Sequence, residues 1–385
     1  MSFRSKLPDV GTTIFTVISR RAEEIGAVNL GQGFPDYPVD PELLGCIEAA
    51  MREGWNQYAP MAGLPALREW IAREQAARYG GRIDPEREVT IALGATEAIF
   101  SAILALVGAG DEAIVFDPAY DSYDPAIRLA GGKCVHIPLA PPRFKFDWDR
   151  VRAAITPRTR LIVVNSPMNP ACTVMSADDV KSLAALVDGT DIHVISDEVY
   201  EHLVYDGARH HSVLADPVLR ERSLAVFSFG KSLHSTGLRV GFAIGPALLT
   251  TELRRVHQFN TFSIATPIQH GIAGYLARKP DVFQGLAPFF ARKRELLAQG
   301  LAGSGFRVLA AEGTYFTLID YSAVPSLAGL DDLAAAHKLL EEGGVASIPL
   351  SPFYHEPPRH SLLRLCFAKQ DATLQRAVER LRAYR

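Results

Sequence analysis

Short apolar runs alternate with helically patterned stretches from Val89 to Gly245, and this alternation constrains the fold more than any other feature of the chain. The runs at residues 89–93, 113–116, 133–137, 161–164, 193–196, 224–227 and 240–244 read as strands. Helical segments separate several of them, such as 178–187, where Ser176 stands as a natural N-cap. Such a pattern predicts an α/β fold with a largely parallel, helix-covered sheet and with ligands at the carboxyl ends of its strands. A chain of 385 residues exceeds what one core usually supports, so two lobes are expected. Residues 46–280 would form the large domain. Residues 1–45 and 281–385 would form an N-terminal arm and a smaller α+β domain, with short strands at 344–348 and 362–367. The helical stretch 248–259 would run toward an interface with a second copy.

Chemistry-bearing residues fall on the ends of these runs. Ser228-Phe229-Gly230-Lys231 follows the run 224–227 and puts a hydroxyl three residues before a lysine, and Arg239 follows eight residues after it. One amine and two phosphate-binding groups delivered by one strand suit an aldehyde cofactor with a phosphate tail, and pyridoxal 5′-phosphate fits that description. A lone lysine is ordinarily a solvated cation, so the weight comes from the other strand ends. The strand ending Ser196-Asp197-Glu198 offers a carboxylate to keep the pyridine nitrogen protonated; Asp197 has that role, with Glu198 as its rival. Asn169, in Asn165-Ser166-Pro167-Met168-Asn169-Pro170, and Tyr200 are candidates to hold the phenolic oxygen of the cofactor, although such Asn-Pro sequences usually mark only turns. Gly94-Ala95-Thr96 opens a helical run with small residues, leaving backbone N–H groups for an anion.

Taken together, these motifs resemble the fold-type-I, class I aminotransferases over essentially the whole chain. The resemblance is carried by Asn29-Leu30-Gly31-Gln32-Gly33-Phe34-Pro35-Asp36, Asn56-Gln57-Tyr58-Ala59-Pro60, Gly94-Ala95-Thr96-Glu97-Ala98, Asp117-Pro118-Ala119-Tyr120-Asp121-Ser122-Tyr123, Ser196-Asp197-Glu198-Val199-Tyr200-Glu201, the lysine segment, Glu312-Gly313-Thr314-Tyr315-Phe316, and Arg364-Leu365-Cys366-Phe367-Ala368. Gln32-Gly33-Phe34-Pro35 with Val256-His257-Gln258 is similar to the methionine and kynurenine/glutamine branch rather than to the aspartate enzymes.

The resemblance implies that Lys231 binds the cofactor aldehyde and later shuttles the Cα proton. It implies that Asp197 pairs with the ring nitrogen, that Tyr200 and Asn169 hold the phenolic oxygen, and that Tyr120 lies flat on the ring. Ala95, Thr96, Ser228 and Arg239 would hold the phosphate, joined by Tyr58 from a neighbouring subunit. Arg364 would grip the substrate carboxylate in a two-pronged ion pair, helped by the Gly33 backbone and Asn169. Phe15, Tyr123 and Phe262 are candidates to line an apolar substrate pocket. Tyr58 and Tyr120 would otherwise be ordinary packing aromatics. Arg364 differs, because an arginine amid Leu362, Leu363, Leu365 and Phe367 needs an anion. The sequence departs from the family at Arg239, where lysine is more usual, and at Met168, where relatives often carry a polar residue.

The implied reaction moves the amino group of an L-amino acid, methionine or another large uncharged or aromatic one, to a 2-oxo acid by a ping-pong route. Cysteine-conjugate β-elimination on the same scaffold is the alternative, and a non-catalytic ligand sensor is a weaker one. Sensors of this kind carry a helix-turn-helix domain ahead of the aminotransferase-like part, and here the match starts near Gly11. A homodimer with shared sites is expected.

Composition excludes several classes. With 48% hydrophobic and 22% charged residues and a net charge of −3, the chain has no basic stripe for nucleic acid. No apolar run reaches membrane-spanning length, and Met1-Ser2-Phe3-Arg4-Ser5-Lys6-Leu7-Pro8 is not followed by a signal-peptide core. Cys46, Cys134, Cys172 and Cys366 form no Cys-x-x-Cys pair and no zinc-like spacing, which points to buried thiols in a reducing cytoplasm. No metal is expected; the adjacent His210-His211 reads as a surface loop.

Overall fold

The computed structural model describes residues 5–385, so Met1–Arg4 of the segment read for a signal peptide lie outside it. After a short strand β1 (Val28–Asn29), the strands β2 (Val89–Ala92), β3 (Glu112–Asp117), β4 (Lys133–Pro138), β5 (Thr159–Asn165), β6 (His193–Asp197), β7 (Ser223–Ser228) and β8 (Gly241–Ile244) follow in turn. The last seven form one sheet in the order β2-β8-β7-β6-β5-β3-β4. Neighbours from β4 to β7 are parallel, whereas β8 runs antiparallel to both β2 and β7. Both faces of the sheet are covered, which is why its strands read as nearly continuous apolar runs. Ile114, Phe116, Ile162, Val164 and Val194 feed one core. Their chain neighbours Ala113, Val115, Leu161, Val163 and Ile195 feed the other, as the two-residue period of a strand requires.

A second sheet is built from β9 (Arg307–Val308), β10 (Phe316–Asp320), β12 (Ile348–Pro349) and β13 (Leu362–Cys366), all antiparallel in the order β12-β13-β10-β9. Strand β11 (Val345–Ala346) instead pairs in parallel with β1 and ties the N-terminal segment to the C-terminal part. The single strand expected at 344–348 is therefore two. The chain changes partners at the fully buried Ser347, so one apolar run serves two sheets.

The helix expected at 178–187 is Ala177–Val187, and Ser176 caps it in a reciprocal pair with Asp179. Helix Gly94–Leu106 begins at the first of the three small residues Gly94-Ala95-Thr96, and helix Ala247–Asn260 packs against it. Two expectations fail. His210 is not a surface residue: its Nδ1 lies 2.8 Å from the Tyr79 hydroxyl and its Nε2 3.0 Å from the Ser166 carbonyl, because the loop folds back over the buried strand ends. Cys134 is half-buried, while the other three thiols are buried; all four cysteines are free. Among the described residues no helix is long and apolar enough to cross a membrane.

Candidate active site

A cavity of about 160 Å³ opens at the carboxyl ends of the parallel strands, lined by Ala95, Thr96, Tyr120, Asn169, Asp197, Tyr200, Ser228, Lys231 and Arg239, with Ile99, Asn165 and Val199. Every cofactor-facing residue expected from the sequence is therefore in one place, except Tyr58. Lys231 sits on the short helix Phe229–Ser232 that directly continues β7. Its amine makes no hydrogen bond or ion pair to any described residue, and it lies 5.7 Å from the ring centres of both Tyr200 and Tyr315. Burial holds the amine down at about 8; the nearby Arg239 and Arg364 push the same way and Asp197 opposes them.

The strand's alternation sends the two acids to opposite sides. Asp197 ends β6 and lines the cavity, whereas Glu198 points to the other side, where its Oε1 accepts from Ser196 Oγ (2.8 Å) and the Val213 N–H (3.1 Å). Burial raises the Asp197 carboxyl to about 6, against the lowering effect of a 2.6 Å hydrogen bond from the Tyr123 hydroxyl. Tyr123 was expected in an apolar substrate pocket. It is buried instead, with its polar end spent on Asp197, because a full ring in the core needs a partner for its hydroxyl. Asn165 is a second residue the sequence reading passed over: its Nδ2 donates to the Asp197 carbonyl (2.8 Å) and its Oδ1 accepts from the Asn169 N–H (2.8 Å), fixing two strand ends together.

At the opposite end the helix Gly94–Leu106 aims its N-terminus at the cavity beside Ser228 and Arg239. The approach depends on missing side chains. Gly94 has φ +74°, and a Cβ there would stand 2.6 Å from Arg239 Nη2; a Cβ on Gly241 would stand 2.7 Å from the Ala95 nitrogen. Free backbone N–H groups, a hydroxyl and an exposed guanidinium thus converge in one place, a set that suits a phosphate.

Arg364, on β13, is 1% exposed, and no described carboxylate pairs with it. Nη1 donates to Asn169 Oδ1 (2.6 Å) and Nη2 to the Gly31 carbonyl (2.9 Å), while the buried Nε has no partner. Its guanidinium lies over Phe316 (3.9 Å) and Phe15 (5.1 Å). The carbonyl on Arg364 is thus Gly31's rather than Gly33's; the Gly33 oxygen is taken by the Tyr315 hydroxyl (2.6 Å), and its N–H is free among the described residues. Met168 is buried and does not line the cavity. Tyr58 lies outside the cavity, 83% exposed, with its ring 5.2 Å from that of Phe262.

The observed groups fit pyridoxal 5′-phosphate: an unpaired amine for an aldehyde, a buried carboxylate for a ring nitrogen, and a glycine-framed cradle for a phosphate. A doubly wound sheet with these groups at its strand ends defines a fold-type-I pyridoxal-phosphate enzyme. Residues 25–381 match the sequence model of the class I and II aminotransferases, and the chain belongs to that family. It is 48% identical to the methionine aminotransferase of Escherichia coli K12, over 98% of this chain and 97% of that one. The solved structure of that kind, YbdL from Escherichia coli, superposes with a TM-score of 0.97 at 47% identity over 100% of both chains. Identity is 39% to a probable N-succinyldiaminopimelate aminotransferase of Mycobacterium tuberculosis, over 98% and 97% of the two chains. It is 34% to kynurenine–oxoglutarate transaminase 1 of mouse, over 94% and 93%. The protein is an aminotransferase with pyridoxal 5′-phosphate as its cofactor.

Proposed function

We propose that this aminotransferase takes large uncharged L-amino acids, methionine first, and that the observation carrying this reading is the buried, anion-free Arg364 facing Phe15. A buried guanidinium with an open Nε calls for a carboxylate from outside, and the aromatic wall beside it favours an apolar side chain over a second carboxylate. The likeness to a methionine aminotransferase supports the same choice.

Bound in the cavity, pyridoxal 5′-phosphate supplies an aldehyde that takes up amines and a ring that withdraws electrons. Lys231 would supply the amine that holds the cofactor, and its Nζ would take and return the substrate's Cα proton. Asp197 would hold a proton at the ring nitrogen, Tyr200 and Asn169 would donate to the phenolic oxygen, and Tyr120 would cover the ring. Ala95, Thr96, Ser228 and Arg239 hold the phosphate. Arg364 clamps the substrate carboxylate, with Asn169 and the free Gly33 N–H beside it. Amino group leaves one L-amino acid and reaches a second 2-oxo acid in two half-reactions. Tyr58 of the partner subunit completes each phosphate site, so the working unit is a homodimer. Residues 46–280 would form the cofactor-binding domain, with 1–45 and 281–385 the smaller one, and a cytoplasmic location is in keeping with four free cysteines.

Comparing kcat/KM for methionine, phenylalanine and aspartate tests the substrate reading. Methionine is expected to exceed aspartate by at least roughly 100-fold, the worth of about 2.7 kcal/mol of transition-state binding. A preference for aspartate overturns it.

A further inference from the structure

On the outer edge of the large sheet, beside a groove that shares Tyr120 with the cofactor cavity, three side chains of unlike chemistry converge. Cys134 and His136 lie two residues apart on β4, the edge strand, and so share one face. Asp124 reaches them from helix Tyr123–Leu129. The thiol, imidazole and carboxylate ligand atoms all lie within 4.8 Å of one another, and the three residues are half-buried. Spacing along the chain hid this group, because its third member comes from a separate helix.

The imidazole is held in one orientation. His136 Nδ1 lies 2.9 Å from Asp117 Oδ1, and Asp117 is itself fixed by the His355 N–H, 2.8 Å from Oδ2. The His355 ring stacks on His136 at 4.7 Å and 14°. Nε2 is left toward Asp124 Oδ1, 3.7 Å away. Arg128 binds the other oxygen, Oδ2, at 3.2 Å, and also pairs with Asp9.

We propose that Asp124 Oδ1, Cys134 Sγ and His136 Nε2 bind a zinc-like divalent cation, with Asp117 as the carboxylate that orients and polarises the histidine. A thiolate, an imidazole and a carboxylate select a borderline ion over magnesium or calcium, which prefer oxygen alone. Tetrahedral bonds of about 2.0–2.3 Å set ligand-to-ligand distances at roughly 3.3–3.8 Å, and the observed N–O separation of 3.7 Å already lies in that range. A histidine ligand whose second nitrogen donates to a carboxylate is the usual arrangement behind a metal, and here it exists before any ion arrives. Asp124 and His136 line a groove of about 480 Å³ between the Asp9–Ile14 segment and His355, which has room for a water as fourth ligand. On binding, Cys134 releases its thiol proton and His136 its Nε2 proton to solvent; thiolate and carboxylate then balance the charge of the dication.

Equilibrium dialysis of the tag-free, cofactor-loaded full chain against zinc decides the matter. One ion per chain is expected. Cys134→Ala and His136→Ala should each weaken it at least tenfold, and Asp117→Asn by roughly 10–100-fold. Cys46→Ala, a thiol in another part of the core, should leave binding unchanged. X-ray absorption of the zinc-loaded wild type should show one sulfur at about 2.3 Å, a readout that no variant has to fold for. Zinc held equally well by Cys134→Ala and His136→Ala, a spectrum without sulfur, or no uptake by the wild type overturns the proposal and leaves His136 as a cation between Asp117 and Asp124.

Discussion

Lys231 and Asp197 show how burial sets chemistry at single residues. With its amine at about 8, Lys231 is neutral to roughly one part in ten at pH 7, against about one part in 2,500 for an ordinary lysine near 10.4. The sign is that of a cation penalised by desolvation: the neutral, nucleophilic form gains as pH rises, and reaches half at about 8. Cofactor capture by the apo-protein, followed by stopped-flow absorbance, should therefore rise about tenfold per pH unit below that value and level off above it. A rate still climbing steeply near pH 10 would mean an unperturbed lysine. Lys231→Ala should abolish both covalent capture and transamination. Tyr123 carries a second prediction. Its 2.6 Å bond to Asp197 is charge-assisted and buried, worth about 1.5–3 kcal/mol, so Tyr123→Phe should lower kcat by roughly 10–150-fold. KM for the amino acid should change little, and the acid limb of the pH profile should move upward, because the hydroxyl is what holds the Asp197 carboxyl down. An unchanged profile would reduce Tyr123 to packing. The sequence alone left Asp197 and Glu198 as rivals. Two adjacent acids at a strand end carry identical local signals, and only the register of β6 against its neighbours decides which one enters the cavity.

At the scale of elements, all seven strands of the large sheet were legible, because a sheet covered on both faces writes itself as apolar runs. The direction of β8 was not. Its residues are as apolar as those of a parallel strand, and the reversal lies in the connection after Lys231 rather than in the strand itself. Nor could the sequence show Ser347 as a change of sheet, since nothing local marks which backbone a strand will pair with. Where β8 passes the helix Gly94–Leu106, the fit is set by one glycine. A Cβ on Gly241 meets the Ala95 nitrogen at 2.7 Å and the Phe227 carbonyl at 2.7 Å; both are backbone atoms that no side-chain rotation relieves. Gly241→Ala should push the helix N-terminus off the phosphate and raise the cofactor's Kd at least roughly tenfold, about 1.4 kcal/mol, by fluorescence titration. Gly237→Ala, with nothing within 4 Å, is the control and should bind as the wild type does.

For the whole molecule, the open question is where Tyr58 acts. It is 83% exposed and outside the cavity its own chain forms, yet its ring meets that of Phe262 edge to face, and Leu248 and Phe259 nearby along the chain expose 73% and 86% of their surface. Apolar surface of this kind in a water-facing position is what a second copy covers. If Tyr58 serves the neighbour's phosphate, two defects placed in different chains must complement each other. Lys231→Ala chains should be inactive for want of the amine, and Tyr58→Ala chains should bind cofactor at least roughly tenfold more weakly for want of the cross-subunit donor. Assayed at limiting cofactor, a mixed dimer of the two has one site with both groups intact and one site lacking both. Mixing Tyr58→Ala protein with an excess of inactive Lys231→Ala protein should therefore raise cofactor affinity and activity per Tyr58→Ala chain toward the wild-type value. If the tyrosine acted within its own chain, the mixture would have no intact site and activity per Tyr58→Ala chain would stay flat. Subunit exchange is verified in the same samples by native mass spectrometry, so a flat response with mixed dimers present counts directly against shared sites.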